Sequence, residues 1–145
     1  MKEELVRIVY ADDDEEDILL MQKALEKARV ANPIDIVRDG EELLEYLRCE
    51  GRYEHLKGKK KPGLILLDLN MPRLDGREAL EIIKKDANLK RIPVVVLTTS
   101  KAEEDILRTY DLGVNSFIKK PISFSSLVEI VINLSNYWFE IVELP

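Results

Sequence analysis

The sequence predicts an α/β fold in which one parallel sheet carries helices on both faces. Short apolar segments alternate five times with stretches whose apolar residues recur at helical spacing. Two of these segments, residues 64–69 and 92–100, are continuous apolar runs that end in polar residues, as expected of strands buried on both faces. No repeat, linker or change of composition divides the chain, so one domain spanning residues 1–145 is expected.

The first two strand–helix units occupy the N-terminal third of the chain. Residues 5–11 are rich in β-branched residues and predict the first strand, and residues 32–37 predict the second. Apolar residues at spacings of three and four indicate a helix after each strand, and Gly51 is the expected end of the second helix. The residues on the two buried faces are Ile18, Met21, Leu25 and Ala28, then Leu43, Leu44 and Leu47.

The middle of the chain predicts a basic loop followed by the third unit. Residues 52–63 contain two glycines, a proline and four lysines, so they are expected to form a solvated loop, with a docking patch for a partner as the alternative. The four lysines are Lys57, Lys59, Lys60 and Lys61. Strand 64–69 comes next, and a helix is expected to begin near Asp75 and Gly76. The apolar residues that mark this helix are Leu80, Ile83 and Ala87.

The last two units complete the alternation. Residues 92–100 and 114–121 predict strands, and helices are expected at 101–113 and 123–137. In the last helix Leu127, Ile130, Val131 and Leu134 can face the core, while Val128 and Ile132 fall on another side. Apolar residues on two sides of a helix favour contact with a partner, or packing beneath the apolar tail at 137–145.

Composition and charge exclude several classes of protein. The chain carries 22 Lys and Arg against 28 Asp and Glu, and this net charge of −6 argues against binding to nucleic acid. Apolar runs of about five residues are too short to cross a bilayer, and no leader precedes the first strand, so a cytoplasmic protein without a membrane partner is expected. The single cysteine, Cys49, excludes an internal disulfide and a Cys-rich metal site and predicts a buried or bystander thiol.

Polar residues end four of the predicted strands, at the edge of a parallel sheet where ligands bind. Asp12 and Asp13 follow the first strand, Asp68 ends the third, Thr98 the fourth and Lys120 the fifth. Three carboxylates would repel one another, and oxygen ligands of this kind favour octahedral Mg²⁺. With the charge neutralised by Mg²⁺ and Lys120, Asp68 could act as a nucleophile toward phosphorus while the Thr98 hydroxyl donates a hydrogen bond.

The other acids near the first strand have simpler interpretations. Asp14, followed three residues later by Asp17, fits the N-cap of the first helix. Glu15, Glu16 and Asp17 fit its first turn, where the helix dipole favours negative charge, or a solvated face.

Four motifs at the strand ends resemble those of the receiver domain of two-component response regulators. They are DD at 12–13, LLDLNMPRLDG at 66–76, VLTTS at 96–100 and FIKKP at 117–121, in the family's order and over essentially the whole chain. The resemblance implies a (βα)5 doubly wound, flavodoxin-like fold with strand order 2-1-3-4-5. It also implies a signalling protein rather than an enzyme, without an output domain, whose Asp68 accepts a phosphoryl group from a histidine kinase.

The resemblance implies a ligand set for the metal. Mg²⁺ would be bound by Asp13, by Asp68 and by the backbone carbonyl of Asn70, with Asp12 reaching the ion through water. Asn70 also separates this pattern from phosphatases of the haloacid dehalogenase type, which need a second acid two residues after the nucleophile. An adaptor that works without phosphorylation would need no such set of acids.

The resemblance further implies roles in phosphoryl contact and in switching. Thr98 and Lys120 would contact the phosphoryl group. Phe117 matches the aromatic residue that changes rotamer together with Thr98, although a buried Phe on an edge strand could equally be part of the core. Thr99 is bulkier than the small residue common at its position, so narrower access to the phosphoryl group is expected.

A closer likeness is to the small regulators paired with bacterial phytochromes, typified in cyanobacteria. It is carried by RIPVVVLTTS, by the tail YWFEIVELP and by the added loop at 52–63. This likeness implies a photosensory histidine kinase, a phytochrome, as donor and a homodimer formed through the C-terminal helix and tail. An alternative role is a phosphorelay shuttle that passes the phosphoryl group to a histidine phosphotransfer protein, and reverse transfer assays would separate the two.

Overall fold

Five parallel strands form one sheet, and its order confirms the predicted 2-1-3-4-5 arrangement. The computed structural model describes residues 6–59, 61–69, 71, 73–98, 116–120 and 123–136. The strands are β1 Ile8–Ala11, β2 Ile34–Val37, β3 Leu64–Asp68, β4 Val94–Thr98 and β5 Ser116–Lys119. The described helices are α1 Glu15–Lys27, α2 Gly40–Arg48, the 3-10 helix Gly51–Leu56, α3 Gly76–Lys85 and α4 Phe124–Leu134.

The strands divide the core into two apolar layers because successive side chains point to opposite faces of the sheet. One layer packs Val9 and Leu67 with α2 and α3. The other packs Ile8 and Leu66 with α1 and α4. Strand β3 is buried over its whole length, which explains its continuous apolar sequence.

Side-chain caps fix the beginnings of the helices. Asp14 is the N-cap of α1, and its carboxylate accepts hydrogen bonds from the backbone N–H groups of Glu16 and Asp17. Asp75 caps α3 in a capping box with Glu78, so the predicted start near residues 75–76 is confirmed. Ser123, whose role as a cap was not predicted, begins α4, and its hydroxyl accepts a hydrogen bond from the backbone N–H of Ser126.

The prediction that α2 ends at Gly51 is wrong. The helix ends at Arg48, and Cys49 closes it in a left-handed conformation with φ 57°. Gly51 instead begins the 3-10 helix, also at positive φ, where an added Cβ would lie 2.1 Å from an oxygen of Glu45. Two successive turns in this stretch therefore need a left-handed residue, and glycine occupies the more crowded of them.

The stretch 52–63 is more structured than a solvated loop. Leu56 is buried, and the Tyr53 ring packs edge-on against Tyr46 with ring centroids 5.1 Å apart. Lys61 is exposed, as expected of a solvated lysine, and its ammonium also donates a hydrogen bond of 2.8 Å to the carbonyl of Leu47 near the end of α2. Lys57 and Lys59 are exposed, as expected, and Lys60 lies outside the described residues.

The helix faces mostly follow the predicted periodicity. Ile18, Met21 and Leu25 are buried in α1, whereas Ala87 lies beyond the end of α3 and is exposed. In α4, Val131 and Leu134 are buried and Ile132 is exposed, but Val128 packs on the core rather than on a separate side. The predicted helix 101–113 and the tail 137–145 lie outside the described residues. Among the helices that are described, none has the length and apolar character of a membrane span.

Candidate functional site

Three carboxylates meet at the carboxyl edge of the sheet. Asp12 and Asp13 directly follow β1, and Asp68 is the last residue of the neighbouring strand β3. The register pairs Ala11 with Leu67, so the next residue on each strand comes to the same place. One oxygen from each of the three carboxylates lies within 4.8 Å of the others. Asp12 and Asp68 are buried, whereas Asp13 is exposed.

Asp12 is held by donors on both of its oxygens. The Tyr10 hydroxyl donates to Oδ2 over 2.5 Å, and the backbone N–H of Asp14 donates to Oδ1 over 3.0 Å. Burial raises the pKa of Tyr10, and the nearby charge of Asp12 and their hydrogen bond raise it further. The phenol therefore stays protonated and remains a donor to the carboxylate.

Lys120 brings a positive charge to this cluster from the end of β5. Its ammonium lies 2.8 Å from Asp17, 3.2 Å from Asp68 and 3.5 Å from Asp12. Burial lowers the pKa of Lys120, but the hydrogen bond to Asp17 and the charges of Asp68 and Asp12 outweigh it, so the pKa lies above the ordinary value. Lys120 is therefore a fixed cation beside Asp68.

The donor set fits a hard divalent cation. Asp12, Asp17 and Asp68 lie around the Lys120 ammonium, and Asp13 lies beside Asp12 and Asp68. Negative charge therefore exceeds positive charge in this part of the described chain. Oxygens bound to one Mg²⁺ at about 2.1 Å are separated by about 3 to 4 Å. One oxygen from each of Asp12, Asp13 and Asp68 lies within 4.8 Å of the others, which is close to this spacing. Oxygen ligands without sulfur or nitrogen favour Mg²⁺, Mn²⁺ or Ca²⁺.

The turn after Asp68 is packed tightly against its surroundings. Gly40 donates a backbone hydrogen bond of 2.9 Å to the carbonyl of Leu74, and Arg73 lies 3.7 Å from Asp39. A Cβ at Gly76 would lie 2.5 Å from the backbone oxygen of Asp68, so only glycine fits there. The start of α3 is thus held directly against the backbone of the site.

The structure brings together Asp12, Asp13, Asp68 and Lys120 of the predicted site residues. Thr98 is the last residue of β4 and Phe117 lies in β5, as predicted. The side chains of these two residues are not among those that the structure describes. Asn70 and Thr99 lie outside the described residues.

Two residues of the site were missed in the sequence. Tyr10 lies two residues before Asp12 on β1, and period-two alternation indicates that both point to one face of the strand. Asp17 was interpreted as a first-turn or solvated acid, yet it makes the shortest contact to Lys120. Its contact with Lys120 spans 103 residues, so local spacing gave no signal for it.

Comparisons with known proteins agree with this geometry. A family model described as the response regulator receiver domain matches residues 8–132. The response regulator Rcp1 of Synechocystis sp. is 41% identical over 138 residues, which cover 95% of this chain and 92% of that protein. The solved structure of the phosphorylated cyanobacterial phytochrome response regulator RcpA is 46% identical, with a TM-score of 0.82 over 94% of this chain and 95% of that one. The Mn²⁺-bound form of Rcp1 is 40% identical, with a TM-score of 0.82 over 97% and 99% of the two chains.

Proposed function

This chain belongs to the family of response regulator receiver domains, and we propose on that premise that Asp68 accepts a phosphoryl group from a histidine kinase. One observation carries the proposal. The buried Asp68 carboxylate ends the central strand 3.2 Å from the Lys120 ammonium and within reach of two further carboxylates. The chain is a signalling protein, and the chemistry that we assign to it is limited to its own phosphoryl transfer and dephosphorylation.

The transfer joins Asp68 to phosphorus and releases the kinase histidine. An oxygen of the Asp68 carboxylate attacks phosphorus, the phosphorus–nitrogen bond breaks, and the electron pair stays on the imidazole, which takes up a proton. Lys120 offsets the negative charge of the phosphoryl oxygens, because its ammonium already lies beside Asp68. The Thr98 hydroxyl is proposed to donate a hydrogen bond to the same oxygens.

Asp13 and Asp68 would bind Mg²⁺ at this edge, together with the backbone carbonyl of Asn70. The ion would supply positive charge against the carboxylates and the incoming phosphoryl group. Asp12, which is buried and already bonded to Tyr10 and Asp14, would orient a metal-bound water rather than bind the ion directly. The Mn²⁺-bound form of the similar protein Rcp1 supports a divalent ion here.

The signal is proposed to leave through protein contacts. Phosphorylation adds about one negative charge beside Lys120, and Thr98 and Phe117 would shift together toward the modified residue. The similar protein RcpA is described as a phytochrome response regulator, which supports a photosensory kinase as the phosphoryl donor to this chain. Exposed apolar residues on α4, Phe124 and Ile132, support a homodimer formed through the C-terminal helix and tail. The acidic composition supports protein rather than nucleic-acid partners.

Phosphorylation of the intact chain by acetyl phosphate and Mg²⁺ tests the assignment of Asp68. Mass spectrometry is expected to show one added phosphoryl group that is lost in alkali, and Asp68→Asn is expected to abolish it. Glu41→Gln removes an exposed carboxylate from the first turn of α2 and should leave labelling unchanged. Acid-stable phosphate on a serine would overturn the assignment, and so would phosphate on a histidine.

A further inference from the structure

A polar contact joins the first turn of α1 to the end of β5, across 103 residues of sequence. The Asp17 carboxylate accepts a hydrogen bond of 2.8 Å from the Lys120 ammonium. This separation is shorter than the 3.2 Å from Lys120 to Asp68 and the 3.5 Å to Asp12. Asp17 is therefore the nearest of the carboxylates that share this cation.

The backbone of Asp17 is fixed by the same cap that begins α1. Its N–H donates to the Asp14 carboxylate over 3.1 Å, so the first turn is held in place. The Lys120 side chain is 22% exposed and that of Asp17 is 36% exposed, while Asp12 and Asp68 are buried. Of the three acids around the ammonium, Asp17 is the one that water can solvate when the contact breaks.

We propose that Asp17 is a positioning residue that restrains Lys120 in the unphosphorylated protein and competes with the phosphoryl group for its ammonium. The proposal rests on the proposed function of Asp68. An ammonium has three N–H donors, and three carboxylates already surround that of Lys120. The phosphoryl group is carried by Asp68 itself, so its oxygens take over the Asp68 contact and, with their greater negative charge, compete with Asp12 and Asp17 for the ammonium. The exposed Asp17 is the least costly to displace, because a buried carboxylate such as Asp12 would lose a partner that water cannot replace.

The surroundings leave room for this exchange. Asp17 and Lys120 both border a cavity of about 90 Å³ between α1 and α4, whose other walls are mainly apolar. The Lys120 side chain therefore has open space beside it on this side. Because the Asp17 contact stabilises only the unphosphorylated arrangement, it lowers the affinity of the site for a phosphoryl group.

Binding of beryllofluoride, a phosphoryl mimic, in the presence of Mg²⁺ tests the competition. Calorimetry is expected to show that Asp17→Asn binds about three- to fivefold more tightly than the unchanged chain, the size expected for a partly exposed ion pair. Glu16→Gln is the matched control, since it removes an exposed charge one residue away and should change binding less than about twofold.

A double-variant cycle shows whether Asp17 acts through Lys120. In a Lys120→Gln background, Asp17→Asn should change beryllofluoride binding less than about twofold. If Asp17→Asn raised the affinity for beryllofluoride equally with and without Lys120, the lost charge of Asp17 would act without Lys120. That result would overturn the proposal. Binding by Asp17→Asn that equals or falls below that of the unchanged chain would overturn it as well.

A readout without metal or beryllofluoride separates this proposal from the proposed function. The ¹⁵N resonance of the Lys120 ammonium should shift in Asp17→Asn and stay in place in Glu16→Gln. An unshifted resonance in Asp17→Asn would overturn the restraint of Lys120 by Asp17 but not the proposed function of Asp68. An unchanged chain that binds no beryllofluoride, while Asp17→Asn still shifts the resonance, would overturn the proposed function and the competition that depends on it.

Discussion

Asp12 shows how a single residue can be buried beside two other acids. It has no exposed surface, and burying a polar group is costly unless hydrogen bonds replace those to water. The Tyr10 hydroxyl and the Asp14 N–H supply two such bonds, and the Lys120 ammonium lies 3.5 Å away. The tyrosine is therefore part of the site, since its phenol orients a carboxylate that adjoins Asp13 and Asp68.

Removing the Tyr10 hydroxyl should destabilise the protein. In Tyr10→Phe the buried Asp12 oxygen loses its shortest donor, and a fall of about 1–3 kcal/mol in the free energy of unfolding is expected. Urea denaturation without metal measures it. Tyr53→Phe is the control, because Tyr53 is half-buried and water can replace its bond to Glu42, so its loss should be smaller. Equal stability of Tyr10→Phe and the unchanged chain would contradict the role of the phenol.

At the scale of elements, α2 and the turn after β3 support each other. Gly40, the first residue of α2, donates to the carbonyl of Leu74, and Arg73 in the same turn pairs with Asp39. Arg73 adopts a positive φ of 64°, a conformation that costs energy for a residue with a side chain. The fixed position of the turn matters because it follows directly from Asp68.

Substitution of Gly40 should disturb this packing. A Cβ there would lie 2.1 Å from the backbone oxygen of Leu74, so Gly40→Ala must push the turn away. A fall of about 1–3 kcal/mol in the free energy of unfolding is expected, together with slower phosphorylation by acetyl phosphate. Glu41→Ala, on the next and exposed position, should change stability by less than about 0.5 kcal/mol. If Gly40→Ala were as stable as Glu41→Ala, the turn after β3 would accommodate the added Cβ without cost. That result would contradict the prediction.

For the whole molecule, the strand order decides where the charges gather. β1 and β3 are neighbours, and β5 lies two strands from β3, so the long Lys120 side chain can reach Asp68 from the end of the sheet. The excess of carboxylates concentrates at one edge, where they repel one another. A bound cation should therefore stabilise the entire fold.

Mg²⁺ is expected to raise the free energy of unfolding. At an ion concentration of 100 times the dissociation constant the gain should be about 2.7 kcal/mol, and chelation should remove it. Asp13→Asn should weaken Mg²⁺ binding markedly, so the gain at the same concentration should shrink. Thermal and urea unfolding with and without the ion measure both effects, and identical Mg²⁺ titrations for the two proteins would contradict a metal role for Asp13.

Stability should fall in alkaline solution because of Tyr46. Burial raises the pKa of Tyr46, and its hydrogen bond to Asp35 raises it further, so the phenol stays protonated in the fold. The unfolded chain releases this proton above about pH 10. The contribution of Tyr46 to the free energy of unfolding is therefore fully present below that pH, and it falls by about 1.4 kcal/mol per pH unit as the pH rises further. Urea denaturation over this range should show a shallower decline in Tyr46→Phe. The same slope in both proteins would exclude Tyr46 as its source.

The sequence by itself determined the fold class, the strand order through its family resemblance, and the acids and lysine at the strand ends. These follow from local patterns, since apolar runs, helical spacing and strand-terminal acids can each be recognised within a few residues. The end of α2 shows the limit, because Cys49 rather than Gly51 closes the helix in a left-handed conformation, a position where glycine is the usual residue.

Only the tertiary structure decided which of these groups touch. The contact between Asp17 and Lys120 joins residues from opposite ends of the chain, and the packing of Gly40 against Leu74 brings the first residue of α2 against the turn after β3. Such contacts depend on distances between elements, which residue spacing along the chain does not encode. For this reason an acid that resembles an ordinary first-turn residue proved to be the nearest partner of the lysine at the site.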